Sequence, residues 1–356
     1  MTAFLPFVLA FILTVAATPL SLIFIKRFGI FDDPKTHKHP GIIHKKPIPR
    51  GGGIPLFIGI FLAGTLILPI NKITISLFIA SFISLLVGIL DDKFDLSPYL
   101  RFLSNIVVAA IVVGSGIGVP FITNPFGGIL HLDSIKLTFD FFGPHSILLI
   151  SDAVAFVWII WVMNMLNWSK GVDGQMPGIV AISSLIIGLL SLRFPLSDQS
   201  TLLSIQLSFL ITGASLGFLI FNFYPAKIFP GYGATVIYLL LATASILSGA
   251  KLATAILVMG VPMTDGVFTI LRRIGSGHSP FWHDKKHLHH LLLSLGMAQR
   301  RIALSYWIIS AILGLLALVL SSTAKLFAII MLAILAGGGI LFLHLILKSS
   351  YAKHNH

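Results

Sequence analysis

The feature that most constrains this chain is a series of apolar runs, each about 20 residues long, separated by short clusters of charge. About 20 apolar residues in a helix cross the hydrocarbon core of a bilayer, so each run reads as a membrane span. The runs occupy 3–25, 53–70, 73–90, 99–119, 146–168, 178–194, 202–224, 233–248, 252–271, 302–320 and 326–347. They predict an all-α polytopic bundle of eleven transmembrane helices, forming one integral membrane domain over residues 1–356. A soluble rival fails on charge: 10% of residues are charged, against about 25% in a soluble domain. Small residues at Gly213, Ala214, Ser215 and Gly217, and the glycines 337–339, allow close helix approach in lipid. The first run lacks a basic flank and a small-residue cleavage site, so it reads as a retained helix rather than a signal peptide.

Lys and Arg set the orientation. Nineteen of the twenty-four fall in one set of alternate loops, and five (Lys72, Lys136, Arg193, Lys251, Lys325) in the other. The rich set is cytoplasmic by the positive-inside rule, which places the N-terminus outside, the C-terminus in the cytoplasm and the chain in the plasma (inner) membrane. The same tally accounts for the net charge of +12 without nucleic acid as a partner. On the outer side only 120–144 is long, and its alternating Leu132, Ile135, Leu137, Phe139 and Phe141 predict a short β-hairpin on the membrane surface. There is no cysteine, hence no thiolate chemistry, and no glutamate, so the twelve Asp residues are the whole supply of side-chain carboxylates.

Five cytoplasmic loops carry candidate chemistry: 26–52, 91–98, 169–177, 225–232 and 272–301. In the first, His44, Pro47, Pro49 and Arg50 precede glycines 51–53, a stiff approach followed by backbone open to tight packing or to an anion. A basic segment drawn to lipid headgroups explains its charge but not its prolines and glycines, so the loop reads as a phosphate-contacting one rather than a purely structural one. In the second, Asp91 and Asp92 end an apolar run, where a helix C-terminus disfavours negative charge, so a divalent cation or a proton is expected to offset them. Asp95 shares their face if the helix continues. The third sets Asn164 and Asn167 on one helix face, then Lys170 and Asp173 among Gly171 and Gly174. The fourth holds Asn222, Lys227 and Phe229, which alone would pass for an interfacial anchor. The last pairs Asp265, inside an apolar run, with Arg272, Arg273, Asp284, His287, His289 and His290. A charge at that depth costs about 2.5–3.5 kcal/mol and normally has a partner or a function. With Lys285 and Lys286 beside them, the histidines favour anion contacts over a metal.

Together, in this order and on one face, these motifs resemble the polyprenyl-phosphate N-acetylhexosamine-1-phosphate transferases (glycosyltransferase family 4). That family includes undecaprenyl-phosphate GlcNAc-1-phosphate transferase and phospho-MurNAc-pentapeptide translocase. The resemblance rests on His44 to Gly53, Asp91-Asp92, Asn167 to Gly174, Phe221 to Phe229, and Pro262 to His290. It implies attack of a polyprenyl phosphate oxygen on the β-phosphorus of a UDP-sugar, with release of UMP, in cell-wall or surface-glycan synthesis of the peptidoglycan or lipopolysaccharide kind. It implies Asp91, Asp92, Asp173 and Asp265 as catalytic residues, with Mg²⁺ on Asp91, Asp92 and Asp173. His44, Arg50, Asn164, Asn167, Lys170, Asn222, Lys227, Phe229, Arg272, His287, His289 and His290 would hold substrate. Partners would be the UDP-sugar, the polyprenyl phosphate and membrane lipids, and the resemblance admits a homodimer. The chain departs from the family pattern where Lys170 and Tyr232 replace expected acids and Leu291 an expected Arg. Either Lys170 supplies charge that a metal otherwise provides, or the chain is a non-catalytic polyprenyl-lipid-binding relative. Asp91, Asp92 and Asp95 also resemble the signature of Asp-rich membrane prenyltransferases, but those carry a second such motif and this chain has none.

Overall fold

The computed structural model describes residues 3–33, 46–124, 127–140, 144–247, 252–282 and 284–354. His44 lies outside them. Among the described residues the chain forms α1 (Phe4–Arg27), β1 (Phe31–Asp32), β2 (Ile48–Pro49), α2 (Gly53–Ile67), α3 (Lys72–Phe94) and α4 (Pro98–Gly114). β3 (Phe121–Thr123), β4 (Ile129–His131), β5 (Lys136–Asp140) and β6 (Pro144–Leu148) follow, then α5 (Leu149–Trp168), α6 (Gln175–Ser191) and α7 (Gln199–Asn222). A 3₁₀ turn (Tyr232–Ala234) opens α8 (Thr235–Ile246), and α9 (Leu252–Val258), α10 (Gly260–Gly275), α11 (Leu288–Ser294), α12 (Gln299–Val319) and α13 (Ser322–His354) complete the chain.

This is an all-α membrane protein. Six of its helices are long and apolar enough to cross a membrane, and a seventh span arises if the bent pair α9–α10 is taken as one. Each of the eleven apolar runs carries helix, yet the described residues form thirteen α-helices. Two local causes raise the number. The run 252–271 breaks at Met259 and turns by 82° into α10, whose first turn contains Gly260 and Pro262. α11 is a short helix in a loop that no apolar run announces. The single hairpin expected over 120–144 is two, β3 with β4 and β5 with β6, both antiparallel.

The bundle is ordered by burial. α8 is buried at every position and α7 along most of its length, with α1 and α6 flanking α7. α13 lies at the edge and is hardly buried, and Leu66, Val157, Leu315 and Val319 are exposed on other helices. Apolar exposure on this scale marks a surface facing lipid rather than water. Inside, hydroxyls satisfy one another between helices: Ser84 with Thr235 at 2.8 Å and Ser184 with Thr212 at 2.8 Å. Helix starts use ordinary caps, namely Asn71 with Thr74 for α3, Ser97 before Pro98 for α4 and Asp198 for α7.

Candidate active site

The centre of the site is the last turn of α3. Asp91 and Asp92 are fully buried there, with 0% and 1% exposure, and adjacent carboxylates in such a place require compensation. Two guanidinium groups supply it. Arg50 Nε lies 2.8 Å from Asp92 Oδ1 and its Nη2 3.4 Å from Asp91 Oδ2. Arg101, from the first turn of α4, places Nε 2.5 Å from Asp91 Oδ1 and Nη2 2.5 Å from Asp95 Oδ1. Backbone amides complete the cage: Leu96 N donates to Asp91 Oδ1 (3.1 Å) and Tyr232 N to Asp92 Oδ1 (2.7 Å). Burial alone would lower the Arg50 pKa, but Asp92, Asp91, Asp32 and Asp95 together hold it above the ordinary arginine value. The helix does not continue to Asp95. That residue closes α3 in the left-handed region at φ 50°, and Arg101, not a shared helical face, joins it to Asp91.

The backbone positions these groups. β1 pairs with β2, and Phe229 continues the contact: its N–H donates to Pro49 O (2.8 Å) while Gly52 N donates to Phe229 O (3.0 Å). The glycines after Arg50 thus serve packing. A Cβ on Gly53 or on Gly88 would collide with the backbone of Gly233, so α2, α3 and the 3₁₀ turn meet main chain to main chain. This contact brings the Tyr232 amide onto Asp92.

Lys170 enters from the turn after α5. Its Nζ donates to the Gly231 carbonyl at 2.5 Å and sits 5.8 Å from the centre of the Tyr232 ring. Burial first, then the neighbouring Arg50, lowers its pKa to about 7, although Asp92 and Asp91 pull the other way. The Tyr232 hydroxyl is turned from Lys170: it donates to the Arg101 carbonyl (3.0 Å), with Asn105 Oδ1 at 3.1 Å.

The opposite wall comes from α10 and the loop after it. Asp265 Oδ2 accepts from His287 Nδ1 at 2.9 Å, and its Oδ1 accepts from Leu288 N at 2.9 Å, so one carboxylate fixes both the imidazole and the start of α11. An ionised carboxylate only accepts, so the proton resides on Nδ1 and Nε2 is left for a ligand. His287, His289 and His290 stack in sequence, and His289 packs against Gly171, where a Cβ would collide with it. Burial first and then the neighbouring histidines hold His289 well below the ordinary histidine value; burial and His287 bring His290 to about 4. Both are neutral near pH 7. Below them Asp284 accepts from Arg272 Nη2 and Arg273 Nε, each at 2.9 Å. Burial would raise its pKa, but those hydrogen bonds and the Lys286 amide hold it at about 2. Arg273 in turn lies 5.8 Å from the Trp168 ring centre.

A cleft joins these walls, and Arg50, Asn164, Asn167, Lys170, Phe229, His287, His289 and His290 line it as expected from sequence. Asp91, Asp92 and Asp265 stand behind that lining, in contact with Arg50, Arg101 and His287. The other candidates do not converge there. Asp173 Oδ2 accepts from Ala226 N (3.0 Å), Asn222 bridges Gly174 N and Ile228 O, Lys227 is exposed, and Arg272 is bound to Asp284. Sequence reasoning missed Arg101, Trp168, Phe281 and Trp282 as site residues, all of them lining the cleft. Arg101 had a signal: a cation in the first turn of a helix opposes the helix dipole and needs an acidic partner.

For a magnesium ion, one or two carboxylates with free oxygens are needed beside the substrate phosphates. Three of the four oxygens of the Asp91–Asp92 pair are taken by arginine or backbone donors. The fourth, Asp92 Oδ2, is buried without a hydrogen-bond partner but lies directly under Gly231, the residue to which Lys170 is tethered. Among the described residues no three His or Asp side chains are grouped to hold a metal. The donor set does not fit a divalent ion bound in the usual way. Beyond the cleft, a second, apolar groove runs between α5, α10 and α13, lined by Trp158, Trp161, Met263, Phe268 and Leu332.

Comparison with known proteins gives one consistent result. The sequence model of glycosyl transferase family 4 matches residues 74–249. The chain is 30% identical over 325 residues to a probable undecaprenyl-phosphate N-acetylglucosaminyl 1-phosphate transferase of Bacillus subtilis strain 168, covering 89% of this chain and 84% of the relative. It is 31% identical over 327 residues to decaprenyl-phosphate N-acetylglucosaminephosphotransferase of Mycobacterium tuberculosis H37Rv, covering 83% and 76%. With undecaprenyl-phosphate alpha-N-acetylglucosaminyl 1-phosphate transferase of Haemophilus influenzae the identity is 28% over 326 residues, covering 88% and 84%.

Proposed function

The chain belongs to glycosyl transferase family 4, and from that membership we propose that it is a phosphotransferase moving N-acetylhexosamine 1-phosphate from a UDP-sugar to a polyprenyl phosphate. A lipid phosphate oxygen attacks the β-phosphorus of the donor, the bond from that phosphorus to the bridging oxygen of UMP breaks, and UMP leaves with the electron pair. The observation that carries the reading is the juxtaposition in one cleft of Arg50, Arg101, Lys170 and His287. These are donors suited to phosphate oxygens, while Phe229 and Trp168 offer flat faces to a base or sugar. Asp91 and Asp92 orient the two guanidinium groups, and Asp265 orients His287. The apolar groove along α10 suits the polyprenyl chain.

In this reading the eleven runs all cross the membrane, the N-terminus faces outward, and the cleft opens to the cytoplasm at the inner membrane. The nineteen-to-five split of Lys and Arg supports that orientation. The product would feed cell-wall or surface-glycan assembly.

The test is UMP release by the purified chain from UDP-N-acetylglucosamine and undecaprenyl phosphate. Release that Asp92→Asn abolishes supports the transferase. Because Lys170 and Tyr232 stand where the family has acids, a second reading is a non-catalytic lipid-binding relative. Tight binding of polyprenyl phosphate with no UMP release would establish that reading instead.

A further inference from the structure

We propose that this chain neutralises the donor's diphosphate with fixed side-chain cations, Arg50, Arg101 and Lys170, and that donor binding and transfer do not depend on a divalent metal ion. The inference rests on the transferase reading and specifies how its site meets the negative charge of its substrate.

Three observations carry it. The first is the state of the carboxylates. Arg50 and Arg101 neutralise Asp91 and Asp92 charge for charge, and Arg50 and Arg101 lie between the buried pair and the cleft, each side chain 16% exposed against 0% for the acids. A metal would have to displace guanidinium groups from 2.5–2.8 Å contacts to reach more than one oxygen.

The second is the supply of free donors. Arg50 uses Nε and Nη2 on the acid pair, and Arg101 uses Nε and Nη2 on Asp91 and Asp95. Among the described residues Nη1 of Arg101 has no hydrogen bond or ion pair, and Nη1 of Arg50 has only Asp32, at 4.0 Å. A guanidinium has five N–H donors, so each can grip a carboxylate on one edge and a phosphate on another.

The third is Lys170. Its one hydrogen bond goes to a neutral backbone carbonyl, and among the described residues no carboxylate lies within ion-pair distance. Its charge is therefore not offset by an ion pair among the described residues. Asp95, with its side chain 45% exposed to water, is screened, whereas Asp32 is buried and faces Arg50 Nη1 at 4.0 Å rather than Lys170. Tyr232 completes the arrangement. With its hydroxyl drawn to Arg101 O and Asn105, its ring lies beneath both Lys170 and Arg101, at 5.8 and 5.7 Å, and offers a neutral floor where an acid would quench them. A divalent ion brought to Asp92 Oδ2 would meet an acid pair already offset by Arg50 and Arg101, with Lys170 held on the Gly231 carbonyl beside it.

The experiment measures UDP-N-acetylglucosamine binding to the full chain in nanodiscs by calorimetry, in magnesium and in excess EDTA, with UMP release followed in parallel. The expected result is the same affinity in both media within about twofold. Lys170→Met should weaken binding about tenfold or more in both, the worth of one charge-assisted contact. Met replaces the buried cation with an apolar chain of similar length, and a melting temperature no lower than that of the native chain certifies its fold. As a reciprocal arm, Lys170→Asp combined with Tyr232→Asp should make binding rise with magnesium. Binding or turnover by the native chain that falls tenfold in EDTA overturns the proposal and leaves the transferase reading standing. Equal affinity of Lys170→Met and native chain also overturns it. Absence of donor binding in both media overturns the transferase reading, and this inference with it.

Discussion

Asp265→Asn isolates the positioning of His287. The carboxylate is buried at 2% exposure and makes two contacts at 2.9 Å, one to His287 Nδ1 and one to the Leu288 amide. An asparagine keeps the size and can still accept from Leu288 with its oxygen. Its NH₂ group then faces His287, so the ring must accept at Nδ1 and carry its proton on Nε2, the reverse of the native tautomer. The loss is one charge-assisted hydrogen bond, about 1.5–3 kcal/mol, together with a wrongly presented ring nitrogen. At 1.36 kcal/mol per factor of ten this corresponds to a fall of about 10- to 150-fold in kcat/KM. The assay is steady-state UMP release, with the melting temperature recorded beside it. Asp265→Ala, which leaves both donors unsatisfied, should lower the melting temperature as well, whereas Asp265→Asn should act mainly on turnover. A native kcat/KM in Asp265→Asn refutes the claim that this carboxylate works through His287.

Lys170 predicts a pH dependence with a definite sign. With its pKa lowered to about 7, the cation is present below that pH and lost above it, so affinity for UDP-N-acetylglucosamine should fall as pH rises from 6 to 9 and should stay flat in Lys170→Met. For stability the direction is opposite: the buried cation costs nothing where both states are neutral, above about 10.4, and its cost grows as pH falls toward 7. Asp284, held at about 2 by Arg272 and Arg273, should contribute about 2 kcal/mol above the unfolded carboxylate value near 4 and lose it as pH drops through 2. Asp284→Asn should therefore lower the melting temperature at pH 7, with the gap narrowing below pH 4. Gly88→Ala drives a Cβ into the Gly233 backbone and should cost about 1–3 kcal/mol, with loss of turnover; Gly114→Ala, which meets nothing within 4 Å, should be neutral or slightly stabilising.

How far the sequence was legible depends on whether a signal was local. The apolar runs and the cation-rich loops mark helices and faces without any knowledge of neighbours, and Asp91, Asp92 and Asp265 were conspicuous because an acid in an apolar run needs a reason. What local pattern could not convey was direction. Asp173 and Lys170 lie three residues apart in one turn, yet one points to the Ala226 amide and the other into the cleft. Lys170 finds its acceptor 61 residues away, and Asp92 meets the Tyr232 amide 140 residues away. These contacts come from packing, above all from the glycine meeting of Gly53, Gly88 and Gly233. The break at Met259 was hidden for a similar reason, since α9 and α10 share one uninterrupted apolar run and only their angle separates them.

That glycine meeting also fixes a depth. α3 has 23 residues, about 35 Å, enough to pass through a hydrocarbon core of about 30 Å. α2 has 15, about 22 Å, and it begins beside Gly88, roughly 9 Å short of the end of α3. The cations sit just beyond that joint, at the last turn of α3, where Arg50 meets Asp91 and Asp92 and Arg101 meets Asp95. An acceptor can stay anchored by its tail while its head group reaches them, and the water-soluble nucleotide is the partner that must come to them from the water. A joint set so far below the rim ties turnover to bilayer thickness, so reconstitution in lipids of increasing acyl length should slow the nucleotide before it affects the lipid.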